Sequence, residues 1–480
     1  MEFIGRNTEL QLLNRLWLKK RASLVTVQGR RRIGKSALIE HFSKSSKVFL
    51  EFQGLAHRPG MGIQDQLDHF SDQLQDQIED LPQLKFENWT QAFSFLNKQI
   101  KNIPTVILLD EISWMAGQDL DFVGKLKTAW DTQFKKKDKL ILVLCGSVSS
   151  WIEDNIINDT DFLGRISLTL NLQELPLDVL THFWQGRLKQ TSSYDILQVL
   201  AVTGGVPRYL EEVQTSVSAM KNIESMCFDK TGVLFNDFEK IFNDVFSKRA
   251  KIYKEIMQTL VANKAGVQQI AKKMKMQKSG TLSKYLKDLV LAGFLSSSPA
   301  YDFKKISPKL QIYRIKDNYV RFYLKYIEPH ISSIQNNQFD FQKTKRLAQW
   351  EQMMGLQFEN IILNNLFVVY ELLGLKTTDI VWAGPYIQTK NTKNKGGCQI
   401  DLLIHTRDQS IYVCEVKFQK SLGQEVIKEV RRKVDVLKRP RYTSIKTVLI
   451  YEGETSSALK EASYFDYIFD GDQLLNLQPN

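Results

Sequence analysis

Short apolar runs recur along the first part of the chain, each bounded by polar residues. Ser23 to Gln28 alternates and carries β-branched residues, the pattern of a strand. Thr105 to Leu109, Leu140 to Cys145 and Ile166 to Leu172 are more continuously apolar, as buried strands are. Ala37 to Phe42 has helical character directly after a glycine-containing loop. All these runs are far shorter than the ~20 apolar residues of a membrane span, so no membrane association is expected.

From residue 173 to 240 the pattern turns mostly helical, with Pro176 near a helix start and Gly204-Gly205 separating helices. The pattern then predicts a helix over Ile252 to Ala262, a break at Gly266, and a second helix over Val267 to Met274. A third follows over Thr281 to Ala292, with Leu282, Tyr285, Leu286 and Leu289 on one face. A strand from Gly293-Phe294-Leu295, a wing over Phe303 to Pro308 and a return strand over Gln311 to Ile315 complete a winged-helix pattern. The aromatics from Tyr319 through Tyr326 recur at helical spacing and read as packed core. Beyond Gln349, a helical segment through Glu359 and Leu366 precedes a hairpin, Cys398 to Ile404 and Ser410 to Lys417.

A chain of 480 residues, 43% of them apolar, has room for several packed cores. Its four cysteines, Cys145, Cys227, Cys398 and Cys414, lack disulfide or zinc spacing, which favours a reducing, cytoplasmic setting. The N-terminal MEFIGRNTEL has no signal-peptide character. The 65 Lys and Arg against 53 Asp and Glu give +12, a surplus that favours an anionic partner such as nucleic acid. Basic residues crowd the winged-helix stretch: Lys248, Arg249, Lys251, Lys254, Lys264, Lys272, Lys273, Lys275, Lys278, Lys284 and Lys287. Lys278, Lys284 and Lys287 fit the edges of a helix in a DNA major groove. Protein contact is the competing use of such a module.

The first strand runs into Gly29-Arg30-Arg31-Arg32-Ile33-Gly34-Lys35-Ser36-Ala37. Strand, glycine loop and helix together form a phosphate cradle, in which amides at the helix start point at the anion. Lys35 reaches the β- and γ-phosphates of ATP, and Ser36 ligates Mg2+. The Thr105 strand delivers Asp110 to the Mg2+ shell and Glu111 to the attacking water. Ser147, after the Leu140 strand, is placed to sense the γ-phosphate. Arg165 is the candidate charge-neutralising arginine, within the chain or across a boundary in a homo-oligomer. Gly5 and Arg6 are placed to close over the adenine. Arg30, Arg31 and Arg32 occupy variable loop positions, open to phosphate or a neighbouring subunit.

FIGRNTEL, GRRRIGKS, LLDE, the CGS strand end, the GR pair and Gly204-Gly205-Val206-Pro207-Arg208-Tyr209 occur in the order found in archaeal-type ATPases. Over residues 1 to 240 the chain resembles this STAND/AAA-related P-loop group. The resemblance implies that Gly205 and Pro207 approach the nucleotide at the start of a helical lid.

Near the C-terminus, Asp401, Glu415 and Lys417 stand on consecutive strands, and Glu415 and Lys417 share a face. Glu359 can approach from the preceding helix. Carboxylates so grouped collect Mg2+ or Mn2+ for phosphodiester hydrolysis, here with Asp401, Glu415 and Glu359 as ligands and Lys417 orienting the nucleophile. Gln424 is an auxiliary candidate. Arg431, Arg432 and Lys433, with Lys438, Arg439, Arg441 and Lys446 beyond, could hold a nucleic-acid backbone. The arrangement resembles the PD-(D/E)xK nucleases, with Ile400 where a Pro is expected. From about residue 300 the chain resembles the domain of unknown function DUF234.

The fold class expected is therefore multidomain α/β. Residues 1–172 form a P-loop NTPase core, 173–240 a helical lid, 241–330 a winged helix and 331–480 a restriction-endonuclease-like domain. The function expected is ATP hydrolysis coupled to metal-dependent binding or cleavage of double-stranded DNA, in genome maintenance or defence. The alternative is an ATP-operated switch for a protein partner, or a DNA-binding regulator with an inactive nuclease-like domain. In the coupled reading, lid and winged helix move against the C-terminal domain.

Overall fold

A computed structural model describes residues 3–476 except 57, 59, 148, 247–248, 277–279, 304, 345–347 and 389–395. The chain forms two compact units. The first comprises Met1–Glu174 with the short segments Ile241–Ser247 and Leu291–Gly293. The second comprises Leu175–Lys240, Lys248–Val290 and Phe294–Asn480.

The first unit is built on five parallel strands, β1 (Ser23–Gln28), β2 (Val48–Gln53), β3 (Thr105–Asp110), β4 (Leu140–Gly146) and β5 (Ile166–Asn171), ordered β2-β3-β4-β1-β5. β2, which was not read from the sequence, flanks β3. Its Glu51 interrupts an otherwise apolar run, so neither the alternation nor the continuous apolar pattern is clean. Alternation explains the layers. Ile107, Leu109, Leu142 and Leu144 enter one apolar cluster, whereas Val106, Leu108, Ile141 and Val143 enter another. The first holds a knot of rings, with Trp89 edge-on to Phe122 at 5.1 Å and Phe70 edge-on to Trp89 at 5.4 Å. Such pairs add roughly 0.5–1.5 kcal/mol each beyond their buried area. With helices on both faces, the site-bearing C-terminal strand ends are the edge left open for chemistry.

In the second unit, helices Ala250–Gln258, Val267–Lys273 and Gly280–Leu291 accompany an antiparallel sheet of β6 (Ala265–Gly266), β7 (Leu295–Tyr301) and β8 (Ile306–Ile315), ordered β6-β8-β7. Leu282, Leu286 and Leu289 are buried, as their spacing predicts. Gly266 does not break a helix. It belongs to β6 and caps the next helix, while the preceding helix ends at Gln258. The wing is not free. Its Tyr301 stacks on Trp382 at 4.7 Å, its Phe303 packs on Tyr386 at 5.4 Å, and Tyr301 Oη shares a hydrogen bond with His405 Nδ1.

Those partners belong to a mixed sheet of β9 (Ile380–Gln388), β10 (Cys398–Thr406), β11 (Ser410–Leu422), β12 (Ser444–Thr455) and β13 (Tyr467–Phe469), ordered β13-β12-β11-β10-β9. β9, β10 and β11 pair antiparallel, and β11, β12 and β13 parallel. It is a separate C-terminal α/β domain. Among the described residues, no helix is long and apolar enough to cross a membrane.

Buried amides stitch this unit together. On the long helix Ala348–Asn364, Gln357 Nε2 donates to Ala201 O on helix Ser193–Thr203 and to Asn318 O, both at 2.7 Å. Its Oε1 accepts from Arg321 at 3.2 Å, and Asn318 Nδ2 donates to Leu200 O at 3.3 Å and Gln357 O at 3.2 Å. Burial lowers the Arg321 guanidinium to about 10, with the Glu359 charge opposing. The expected movement of lid and winged helix against the C-terminal domain would have to break this seam. Gln357→Leu should therefore destabilise the chain by about 2–4 kcal/mol in chemical denaturation, because two carbonyls and a buried guanidinium lose partners at once. A change under about 0.5 kcal/mol would mean that the seam is not structural.

Candidate functional site

The loop from β1 to helix Lys35–Ser43 turns through glycines for a steric reason. At Gly29 (φ 151°) a Cβ would stand 2.7 Å from Leu172 O, and Gly34 caps the helix at φ 84°. Lys35 is buried and its Nζ donates to Gly29 O at 3.0 Å and Arg30 O at 3.2 Å. Ser36 Oγ donates to Asp110 Oδ2 at 2.6 Å. The phosphate-loop hydroxyl and the β3 carboxylate thus meet across 74 residues of sequence. Ala37 follows in the first turn of the helix.

Glu111 adopts a left-handed conformation (φ 48°) at the N-cap of helix Ile112–Ala116, a posture that costs energy and is kept where geometry demands it. Its Oε2 accepts from Ser147 Oγ at 2.9 Å and from Ser147 N at 3.2 Å. Arg31 NH2 lies 4.0 Å from its Oε1, and the Arg31 guanidinium covers the Trp114 ring at 4.8 Å. Lys35, Asp110, Glu111 and Ser147 are buried, and the half-buried Ser36 joins them through Asp110. Sequence reasoning missed the Trp114 rest for Arg31, since an aromatic three residues past the acid carries no signal alone.

Arg6 is differently placed. It is buried, and its NH2 donates to Ile33 O at 3.0 Å and Gln173 O at 2.6 Å, with Glu9 at 3.2 Å. Burial lowers its pKa, with Glu9 opposing. Gly5 precedes it at φ 73°. Arg6 braces the phosphate loop from behind. Arg165 grips Asp131 through both carboxylate oxygens, Nε–Oδ1 at 3.0 Å and NH2–Oδ2 at 2.8 Å. The hydrogen-bonded Arg165 guanidinium holds the Asp131 carboxyl below the usual carboxylate range. Pro207 opens helix Pro207–Leu210 in the second unit, where Leu175 N donates to Gly205 O. Serine and a single carboxylate, completed by phosphate oxygens, form a usual Mg2+ set, so Ser36 and Asp110 fit that ion.

The C-terminal acids are also brought together. Asp401 lies on β10, Glu415 and Lys417 on β11, and Glu359 on the long helix. Burial pushes the Asp401 carboxyl up to about 7, helped by the charges of Glu415 and Glu359. Asp401 Oδ2 accepts from Val416 N at 3.1 Å. Each acid nearby, however, is held by a lysine. Glu415 Oε1 stands 2.8 Å from Lys417 Nζ, and its Oε2 accepts from Lys433 at 2.6 Å. Glu429 bridges the same lysines, at 2.9 Å from Lys417 and 3.0 Å from Lys433. Glu359 accepts from Lys264 at 2.8 Å. Burial opposes the charge on Lys417, yet Glu415 and Glu429 raise its pKa; Glu429 is lowered to about 2 by the two lysines despite its own burial.

Glu359, Asp401 and Glu415 therefore do not fit a divalent cation. Among the described residues no group of three or more His, Cys, Asp or Glu could hold a metal ion. Two further expectations change. Lys433 is not a backbone-binding surface residue but a buried partner of Glu415, and Arg431 lies over the Tyr464 ring at 5.2 Å. Lys254 and Lys264, counted with the basic winged-helix surface, are spent on Glu239 and Glu328 and on Glu359. Lys284, Lys287 and Lys272 are exposed, whereas Lys248 and Lys278 lie outside the described residues. Gln424 donates to Ala458 O at 3.1 Å.

The parallel sheet, glycine loop and Lys35–Ser36–Asp110 group define a P-loop NTPase domain. Residues 3–213 match the family of ATPase domains predominantly from Archaea, and residues 323–432 match DUF234, archaeal and bacterial proteins of unknown function. The chain is an archaeal-type P-loop ATPase domain joined to a DUF234 domain. It is similar to the uncharacterized protein MJECL04 of Methanocaldococcus jannaschii, 23% identical over 75% of this chain and 76% of that one. It is also similar to the uncharacterized ATP-binding protein MJ0423 of the same organism, 41% identical over 46 residues, 10% of this chain and 78% of that one. Among solved structures, the Walker-type ATPase of Pyrococcus abyssi aligns with 15% identity and a TM-score of 0.49 over 67% of this chain and 96% of that chain.

The folded-state pKa of Asp401, raised above its unfolded value near 3.9, means that folding takes up a proton between about pH 4 and 7. Its contribution to stability is complete below pH 4 and is lost as pH rises through 7. Asp401→Asn should flatten this part of the stability–pH curve relative to the parent, the remaining slope coming from the similarly raised Glu452 that both chains keep. Parallel curves for variant and parent would refute the assignment. Arg6→Ala should cost about 1–3 kcal/mol and weaken ATP binding by freeing the phosphate loop, checked by denaturation and titration calorimetry.

Proposed function

We propose that this protein is an ATP-hydrolysing switch of the STAND/AAA-related group whose second unit binds duplex DNA and cuts nothing. Its C-terminal sheet is then a restriction-endonuclease-like scaffold used for binding. The observation that carries this reading is the paired state of the C-terminal acids: both Glu415 oxygens and the Glu359 carboxylate are engaged by lysines.

In the nucleotide site, Lys35 exchanges the Gly29 and Arg30 carbonyls for the β- and γ-phosphates. Ser36 and Asp110 would hold Mg2+, and the ion would supply positive charge against the phosphate oxygens. Glu111, oriented by Ser147 and Arg31, accepts a hydrogen bond from the attacking water. Arg165 reaches a phosphate only by leaving Asp131, in the same chain or in a second copy. The exposed Lys272, Lys284 and Lys287 support DNA as the anion bound. The buried, free cysteines support a cytoplasmic location.

The test is incubation of the full chain with linear and circular duplex DNA, Mg2+ or Mn2+, with and without ATP. No cleavage is expected under any condition, and Lys35→Ala should lower ATP turnover at least about a hundredfold. Cleavage that Lys417→Ala removes would restore the nuclease reading. In fluorescence anisotropy, Lys284→Ala/Lys287→Ala should weaken DNA binding and reduce the salt slope by about 2. Absence of DNA affinity in the parent would favour a switch for a protein partner.

A further inference from the structure

The C-terminal domain retains acids suited to a divalent cation but supplies ammonium groups against them. The chemistry of Lys433 is the informative part, and it rests on the reading that this domain does not cut. Lys433 belongs to helix Glu425–Val436, and its side chain is 9% exposed. Its Nζ lies 2.6 Å from Glu415 Oε2, and Glu429, one helical turn before it, steadies it at 3.0 Å. The Asp401 charge acts on it as well.

Lys417 cannot perform the same task. It approaches the other Glu415 oxygen, Oε1, from the same strand, and it is the more exposed of the two at 18%. With Lys417 alone, Glu415 Oε2 and Asp401 would still offer oxygen lone pairs. Lys433 takes that oxygen and places positive charge beside Asp401. A hard divalent cation needs several oxygens unencumbered by an ammonium, and like charge in a water-poor site repels it.

We infer that Lys433 is a tethered counter-ion occupying the position between Asp401 and Glu415, and that removing its ammonium converts the site into one that binds Mg2+ or Mn2+. Asp401 and Glu415 would be the ligands in that variant. No bond is made or broken: a covalently attached monovalent cation is exchanged for a free divalent one.

The experiment counts bound Mn2+ on the nucleotide-free full chain by electron paramagnetic resonance. Ser36→Ala is present throughout to silence the phosphate loop, and circular dichroism melts verify folding. The parent should hold no Mn2+ that depends on Asp401. Lys433→Met should acquire one Mn2+ per chain, bound at least about tenfold more tightly than by the parent, and adding Asp401→Asn should abolish it. Two results would overturn the inference: a folded Lys433→Met chain binding no more Mn2+ than the parent, or a parent whose Mn2+ disappears with Asp401→Asn. If Lys433→Met does not fold, Lys433→Gln, which keeps a donor for Glu415 without the charge, is read by the same two results. Asp401-dependent Mn2+ in a parent that cuts no DNA sinks this inference alone, whereas DNA cleavage by the wild-type chain sinks the proposed function.

Discussion

A charge withdrawn from water has to be answered inside the fold, and both candidate sites are organised by that demand. They answer it in opposite ways. In the first unit the hydrogen-bond partners are neutral and exchangeable, with the Arg31 charge close by, 4.0 Å from Glu111: two backbone carbonyls for Lys35, a serine hydroxyl for Asp110, a serine hydroxyl and amide for Glu111. An incoming phosphate or metal ion can displace such groups at modest cost. In the second unit the partners are full charges, lysine against glutamate, bridged into a ring by Glu429. Displacing one of them leaves another buried and uncompensated. The same residue types that make one site receptive make the other self-sufficient.

This difference explains what could be read in the sequence. The nucleotide site was legible because its residues sit next to strand ends that announce themselves. β3 and β4 are nearly continuous apolar runs and β1 alternates, and the site residues lie at their C-terminal ends or in the glycine loop that follows. The C-terminal acids were legible too, for Glu415 and Lys417 do share a face and Glu359 does approach Asp401. Their partners were not. Lys433 lies in a run of basic residues that reads as a solvated face, and only the helix rotation that turns it inward against Glu415 sets it apart from Arg431 and Arg432. Lys264 comes from another module altogether, 95 residues before Glu359. Edge strands such as β2, β9 and β13 escaped for local reasons: Glu51 interrupts β2, Gly384-Pro385 interrupts β9, and β13 is only three residues long.

The seam around Gln357 joins segments that the sequence presents as successive modules. Gln357 is distant in the chain from Asn318 and Arg321, and all three are polar, so nothing in their spacing announces that they will be buried together. Once buried, their hydrogen bonds tie the lid helix Ser193–Thr203 to the long helix Ala348–Asn364. A seam of this kind is specific where an apolar one is merely adhesive, because each donor fits few acceptors.

The fastened wing bears on how much a duplex could tell this protein. Tyr301 and Phe303 are committed to Trp382, Tyr386 and His405, so neither aromatic is available to a groove, while Lys305 and Lys309 stay exposed. The helix Gly280–Leu291 would span only about three to four base pairs of a groove. If duplex DNA is bound as proposed, its exposed lysines would meet phosphate, common to all sequences, and not base edges. The information such a reader extracts is a few bits, far too little to single out one address in a genome. A protein so equipped would find its place on DNA by abundance, by shape or through companions already bound, and not by reading a word.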